Sequence, residues 1–264
     1  MSDDLLDRLE ASTRNTWMLA QKYDLPIELV IVEWNVGVRH FGDVELRVQR
    51  TKGHARIIHT PAELHGRVPN PHGFRYFEWY PKNIGIRRAR GEFVLSTNPD
   101  DLFSEELIAR LAQKTLQHGH FYRVYRHDTR DGKVFSISWP TGAHPADATP
   151  EEIRRPLPRA AAWSEGMLHF GAAGDFTLMS RDDWFLIHGN PERDYNDSVD
   201  GQTIWLAHTH GLKQVVFPEP VFHPDHPRTL NHAFVPGWDD KKPHAKMNGD
   251  DWGFADLEFA ETIL

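Results

Sequence analysis

The chain has 264 residues, of which 39% are hydrophobic and 26% charged, and its formal net charge is -8. That length suits one large domain with a substantial core, and the acidic balance argues against a partner held through a phosphate backbone, so no nucleic acid is expected. The lack of cysteine excludes disulfides, zinc-thiolate sites and a cysteine nucleophile.

The N-terminus, Met1-Ser2-Asp3-Asp4, is acidic and has neither the basic region nor the apolar core of a signal peptide. No apolar run approaches the roughly 20 residues that span a bilayer. The expectation is a cytoplasmic protein with no transmembrane segment, for which peripheral membrane contact stays open.

Leu5, Leu9, Trp17 and Ala20 recur at helical spacing, which predicts an amphipathic helix over 3 to 22. After Pro26, Ile27 to Trp34 reads as a near-continuous apolar strand buried on both faces of a parallel sheet, with Glu33 and Asn35 at its end. Arg56 to His59 is the next strand. Residues 60 to 81 are rich in Pro, Gly and His and predict a long loop with little regular structure, in which Arg75, Tyr76 and Trp79 could line a site.

A short helix from Lys82, stopped by Gly91, then leads into a buried strand from Phe93 to Ser96. Asn98-Pro99-Asp100-Asp101 makes a sharp acidic turn that delivers Asp100 just past the strand's C-terminal end, the edge at which open α/β sheets bind ligands. A carboxylate there can hold Mg²⁺ or Mn²⁺ against a diphosphate; a polar turn entering a helix is the plainer reading.

Ser104 is a good N-cap for the helix that follows, with Glu105 and Glu106 favourably placed in its first turn. Phe121 to Arg126 and Lys133 to Ser138 read as two strands joined through Asp131-Gly132. From Trp139 to Pro158 the chain is Pro-rich and irregular. A glycine-containing stretch from His169 then precedes a strand, and Ser180 with Asp183 fits a cap for a helix that Gly189 and Pro191 end. A further helix opens at Asp197, itself a good cap, and runs to about His210. Lys213 to Phe217 is a short strand that leads to His223 and His226, and residues 227 to 264 read as a polar, turn-rich tail.

Asn83, Gly85, Ala89 and Gly91, followed by a strand and Asn98-Pro99-Asp100-Asp101, resemble the central signature of GT-A fold, family-2-like glycosyltransferases. That family places an Asp-x-Asp turn after an N-x-G-x-x-x-A-x-G helix and a strand. This chain has Asn98 at the first acid. The resemblance covers roughly Ile27 to His226; the family begins with a strand that carries part of its nucleotide site, whereas this sequence opens in a helix, so the expectation is either that the strand lies upstream of it or that the protein lacks it.

The resemblance implies an α/β fold, GT-A-like, with a Rossmann-related, mostly parallel sheet flanked by helices and a loop-rich acceptor side. The catalytic domain would span 1–226, with a nucleotide-binding part to about 126 and an acceptor part from about 127, and 227–264 would pack on it. Glu33 and Asn35 would grip the base or ribose of a nucleotide-sugar donor, Asn83 and Arg87 the diphosphate, and Asp175 the sugar hydroxyls, with Asn98 beside them. Asp100, with His223 or His226, would hold a divalent cation, Mn²⁺ or Mg²⁺. Asp197, or failing it Asp200, would deprotonate a carbohydrate or other hydroxyl acceptor, giving inversion. A nucleotidyltransferase and a non-catalytic carbohydrate- or nucleotide-binding module are the alternatives.

Overall fold

The structure is a computed structural model that describes residues 3–35, 43–49, 55–139, 142–144, 168–195, 199–226 and 246–264. Helix α1 (Asp3–Lys22) runs as its apolar spacing predicts. Near its start, Leu6 and Leu9 pack with Val44 and Val48 of α2 (Asp43–Gln49) and with Ala55 and Ile57 of the next strand. Near its end, Leu19 joins a second core with Phe103, Leu107, Phe176 and Val221. Each fully buried leucine contributes about 2 kcal/mol, so the two ends of α1 are anchored in different cores and its middle is held over the acidic turn.

The described strands form three sheets, and all three are mixed, which corrects the mostly parallel expectation. In the first, β1 (Leu29–Glu33) runs parallel to β2 (Ala55–His59), and β12 (Ala260–Ile263) closes the far side antiparallel. The second has the order β10-β5-β9-β3. There β3 (Phe93–Ser96) and β5 (His120–Arg123) both run antiparallel to β9 (Thr177–Ser180), and β10 (Lys213–Val216) is parallel to β5. The third has the order β4-β11-β6-β7-β8, from β4 (Leu102–Phe103), β6 (Arg126–Arg130), β7 (Lys133–Trp139), β8 (Gly142–His144) and β11 (Val221–Pro224). The reason for the mixture is topological: in the first two sheets β12 and β9 return from distant parts of the chain antiparallel to their neighbours, and in the third β11 returns parallel to β6, whose other neighbour is its antiparallel hairpin partner β7.

Strand β1 is also less buried than its sequence predicts. Val30, Ile31 and Val32 are half-buried because, among the described residues, β1 pairs on one side only. The predicted hairpin exists, but its first arm is β6, and the turn at Asp131-Gly132 has φ of 51° and 72°, the positive pair that a two-residue hairpin needs. Residues 121 to 123 belong to the other sheet, because the chain crosses between sheets at the buried Val124 and Tyr125.

The stretch from 60 to 81 is irregular from 66 to 78, as expected, but that part is packed against the core and flanked by helices. The stretch holds α3 (Ala62–His65) and the start of α4 (Trp79–Arg88), and Phe74, Phe77 and Tyr80 are buried in a core with Trp34, Ile58 and Ile84. Asn70 replaces missing ladder bonds by accepting from the Phe74 N–H and donating to its carbonyl, both at 2.8 Å. Helix α4 takes Pro81 in its first turn, where no intrahelical donor is lost. It stops at Arg88 rather than at Gly91, since Ala89 is already extended at φ -62° and ψ 143°.

The caps behave as predicted: Ser104 accepts from Leu107 N–H at the start of α5 (Glu105–Leu111), and Ser180 from Asp183 N–H at the start of α6 (Arg181–Leu186). Gly189 ends the latter at φ +70°, and a Cβ there would stand 2.6 Å from both Asn83 Oδ1 and the Trp252 ring. Gly189→Ala is therefore expected to cost about 2–4 kcal/mol, read as a melting midpoint lowered by about 5–10 °C. An unchanged midpoint would show that this junction yields freely. Among the described residues no helix is long and apolar enough to cross a membrane.

Candidate functional site

The acidic turn after β3 is built around Asp101. Its Oδ2 accepts from Asn98 N–H at 3.1 Å and from Thr97 Oγ1 at 3.0 Å, while its carbonyl accepts from Ser12 of α1 at 2.6 Å. Burial above all, and then the charge of Asp175, pushes the Asp101 carboxyl well above the ordinary range. Asp101 thus holds the turn's shape, and the neighbouring Asp100 is turned toward a different set of partners.

Those partners are two histidines from the end of β11. His226 Nε2 lies 3.1 Å from Asp100 Oδ2 and His223 Nε2 lies 3.9 Å from it. One ligand atom from each of the three residues can be chosen so that all lie within 4.8 Å of one another. Adjacent ligands of an octahedral ion with bonds of about 2.1 Å sit about 3 Å apart; the Asp100–His226 separation matches that value, and the His223 ring would have to move closer to join them on one cation. Strand pairing explains the orientation of His223: it is directly opposite Asp128 in the parallel β6–β11 register, and its Nδ1 is 3.3 Å from Asp128 Oδ1. A carboxylate on the far ring nitrogen is what fixes a metal-binding imidazole in place. Arg8 of α1 completes the surround, with its Nε 3.1 Å from Asp100 Oδ2.

A second polar group adjoins this one. Lys82 Nζ donates to Asn98 Oδ1 at 2.7 Å, to Glu78 Oε1 at 2.6 Å and to the Gly174 carbonyl at 2.8 Å. Asn98 Nδ2 in turn donates to Asp175 Oδ1 at 3.1 Å, and Arg126 holds the other oxygen of Asp175 at 3.1 Å. Burial alone would raise the Asp175 pKa, but Arg126, His223 and Lys82 outweigh it and the carboxyl is held below its ordinary value. Asp200, in α7 (Val199–Thr209), accepts from the N–H groups of Gly174 at 3.1 Å and Gly201 at 2.9 Å. Burial, followed by the charge of Glu78, raises its pKa. One carboxylate is thereby kept ionised and another made more basic within the same cluster, a separation suited to assigning them different roles.

Of the residues nominated from sequence, the fold brings Asp100, His223 and His226 into one group and Asn98, Asp175 and Asp200 into the adjoining one. Glu33 is buried at the end of β1, with Oε2 2.6 Å from His59 Nδ1. Asn35, at φ 50°, donates to the Arg75 carbonyl at 2.6 Å, and the segment it holds continues through the exposed Tyr76 to Glu78. Asn83 is fully buried and clamps the chain after α6: its Nδ2 donates to the Asn190 carbonyl at 2.7 Å and its Oδ1 accepts from Asn190 N–H at 2.8 Å. Arg87 faces the C-terminal segment, 4.9 Å from the Trp252 ring centre and bonded to the Trp252 carbonyl at 3.1 Å. Neither Asn83 nor Arg87 is brought to the acidic group. Asp197 lies outside the described residues.

Sequence reasoning missed Arg8, Glu78, Arg126 and Asp128, and it passed over Lys82 in favour of Asn83 and Arg87. For Glu78 and Lys82 the four-residue spacing on a helix was a usable signal. The other three are joined to the site by contacts between distant parts of the chain, with no local mark. The arrangement as a whole can bind a divalent cation at one edge, hold polar hydroxyl groups beside it and accept a proton. No family model matches the chain, and no curated protein matches it in sequence.

Proposed function

We propose that this chain is a GT-A-like glycosyltransferase that uses a nucleotide-activated sugar and a divalent cation and inverts the anomeric centre. The observation that carries the reading is the meeting of Asp100 with His223 and His226 just past the C-terminal end of β3, where the signature resemblance leads one to expect a donor diphosphate. Two imidazole nitrogens with one carboxylate suit Mn²⁺ better than Mg²⁺, which prefers oxygen ligands alone. When bound, the ion supplies charge stabilisation to the departing diphosphate.

The protein's own residues do the rest. Asp175 and Asn98 hydrogen-bond sugar hydroxyls and orient the donor. Asp200, its pKa raised by burial and Glu78, takes the acceptor's hydroxyl proton. The acceptor oxygen forms its bond to the anomeric carbon as the bond to the diphosphate oxygen breaks, and the nucleoside diphosphate leaves with that electron pair. Lys82 and Arg126 keep the surrounding carboxylates compensated.

A thermal-shift panel of UDP, GDP, CDP and dTDP, each with and without Mn²⁺, tests the donor half. A ligand at about 100 times its Kd stabilises by about 2.7 kcal/mol, which raises the midpoint by about 5–10 °C. The expected result is a shift with one nucleotide that requires Mn²⁺. Incubation with the matching sugar nucleotide is then expected to release nucleoside diphosphate. Pyrophosphate release would instead identify a nucleotidyltransferase, and binding without turnover a non-catalytic module. A product that retains the donor's configuration would remove Asp200 from the role of base.

A further inference from the structure

The opposite end of β3 carries a feature of reversed charge. A cavity of about 610 Å³ is lined by Arg56, Arg87, Arg88, Arg90 and Arg181, against two acids, Glu258 and Glu261. Arg90 precedes β3 as Asp100 follows it, so the four residues of that strand, at about 3.3 Å each, separate the two sites. Glu28 also pairs with Arg56, at 3.4 Å, so the local excess is two positive charges, which in a chain of 38 acidic and 30 basic side chains is a departure that average composition does not explain.

Part of the set is structural. Arg88 donates to the carbonyls of Gly253, Phe254 and Leu257, each at 2.8 Å, and Arg56 pairs with Glu261 at 2.8 Å, so these two tie the C-terminal segment to α4 and β2. Arg90 and Arg181 are different: both are exposed, and the Arg90 guanidinium comes no closer than 3.9 Å to Glu261. Arg181 and Arg87 stack on the Phe185 ring at 4.9 and 5.5 Å. Stacking occupies the faces of a guanidinium and leaves its N–H edge for in-plane acceptors. The excess is felt inside the cavity: burial first, and then the charge of Arg87, hold the Arg88 pKa below its usual value.

We propose that this basic cavity binds a multiply charged phosphate group, as a phosphate monoester or a diphosphate. Forked guanidinium donors match phosphate oxygens in pairs, and a monocarboxylate or halide would leave half of the positive excess uncompensated. The volume exceeds what a phosphate alone fills, and Leu257 and Phe259 offer an apolar wall to whatever carries it. The same headgroup chemistry is presented by a soluble phosphorylated molecule and by an anionic lipid. The proposal does not depend on the glycosyltransferase reading.

The test is calorimetric titration of the full chain with inorganic diphosphate in EDTA, so that the Asp100 group cannot bind it through a metal. Binding that weakens as salt rises is expected. The R90Q/R181Q double variant, altered only at exposed side chains, is expected to keep the wild-type melting midpoint and lose affinity at least about tenfold, while D100N binds as the wild type does. Absence of binding in the wild type, equal binding in R90Q/R181Q, or loss of binding in D100N would each overturn the proposal. Sedimentation with phosphatidylcholine vesicles, with and without phosphatidic acid, identifies the source. Co-sedimentation that needs phosphatidic acid and is lost in R90Q/R181Q assigns a lipid headgroup, and diphosphate binding without co-sedimentation assigns a soluble ligand.

Discussion

Asp100→Ala is expected to lower Mn²⁺ affinity by more than about 100-fold and to abolish the Mn²⁺-dependent nucleotide shift. Asp100 is the sole carboxylate of the group it forms with His223 and His226, and its removal leaves two imidazoles and Arg8 with no negative charge among them to attract a cation. The supporting residue gives a graded companion. Asp128→Asn removes the charge that orients His223 through Nδ1, and loss of such a partner lowers metal affinity by about 10- to 100-fold. Electron paramagnetic resonance of free Mn²⁺ reads both directly, with no need for turnover. The fold is expected to survive: Arg8 retains Asp4 as a partner, Asp101 loses a repelling neighbour, and the net cost is under about 2 kcal/mol. Wild-type Mn²⁺ affinity in Asp100→Ala would exclude the residue from the centre, and equal affinity in Asp128→Asn would mean that His223 is oriented by its strand alone.

How far the sequence could be read divides along the range of the forces involved. Strand β3, the Ser104 and Ser180 caps and the Asp131-Gly132 turn were legible because each rests on residues within a few positions of one another. The direction of β9 and the addition of β12 were not, since nothing near Thr177 or Ala260 records which distant strand will be its neighbour. The same limit governs the site. Asp100 could be nominated from its place after β3 and the two histidines from the family resemblance, whereas Arg8 is 92 positions from its partner and looks like any cation on an amphipathic helix. Asn83 and Arg87 show the reverse error. Lys82 and Arg87 are five residues apart, which puts them about 140° apart around the helix, so α4 presents one to the acidic group and the other to the C-terminal segment. Spacing alone did not say which face was which. The loop expected over 60 to 81 was legible in its backbone, since its prolines and glycines marked 66 to 78 as irregular, but its packing was not: Phe74, Phe77 and Tyr80 bury enough surface to tie it to the core.

Acid is expected to destabilise the protein progressively below pH 6.5, through His169 and His127. His169 is fully buried, its ring edge-on to Tyr125 at 5.0 Å, and neither ring nitrogen makes a hydrogen bond among the described residues. Burial first, and then the neighbouring Arg123, pushes its pKa down to about 3. Burial likewise takes His127 down to about 4, against the opposing pull of Asp128. Both are neutral in the folded chain at pH values where the unfolded chain, titrating near 6.5, already binds the proton. Stability from these groups is therefore complete above pH 6.5 and is lost as pH falls toward the folded values. At about 1.4 kcal/mol per unit, the full loss is on the order of 5 kcal/mol for His169 and 3.5 kcal/mol for His127, enough to unfold a marginally stable domain. Urea unfolding of the wild type and of His169→Phe between pH 7.5 and about 4.5 isolates the larger contribution, because the raised carboxyls Asp101 and Asp200 act in the opposite sense and are common to both proteins. The difference in unfolding free energy, wild type minus variant, should fall by about 1.4 kcal/mol for each pH unit below 6.5. A difference that does not change with pH would mean that the His169 ring gains a proton as readily inside the fold as outside it.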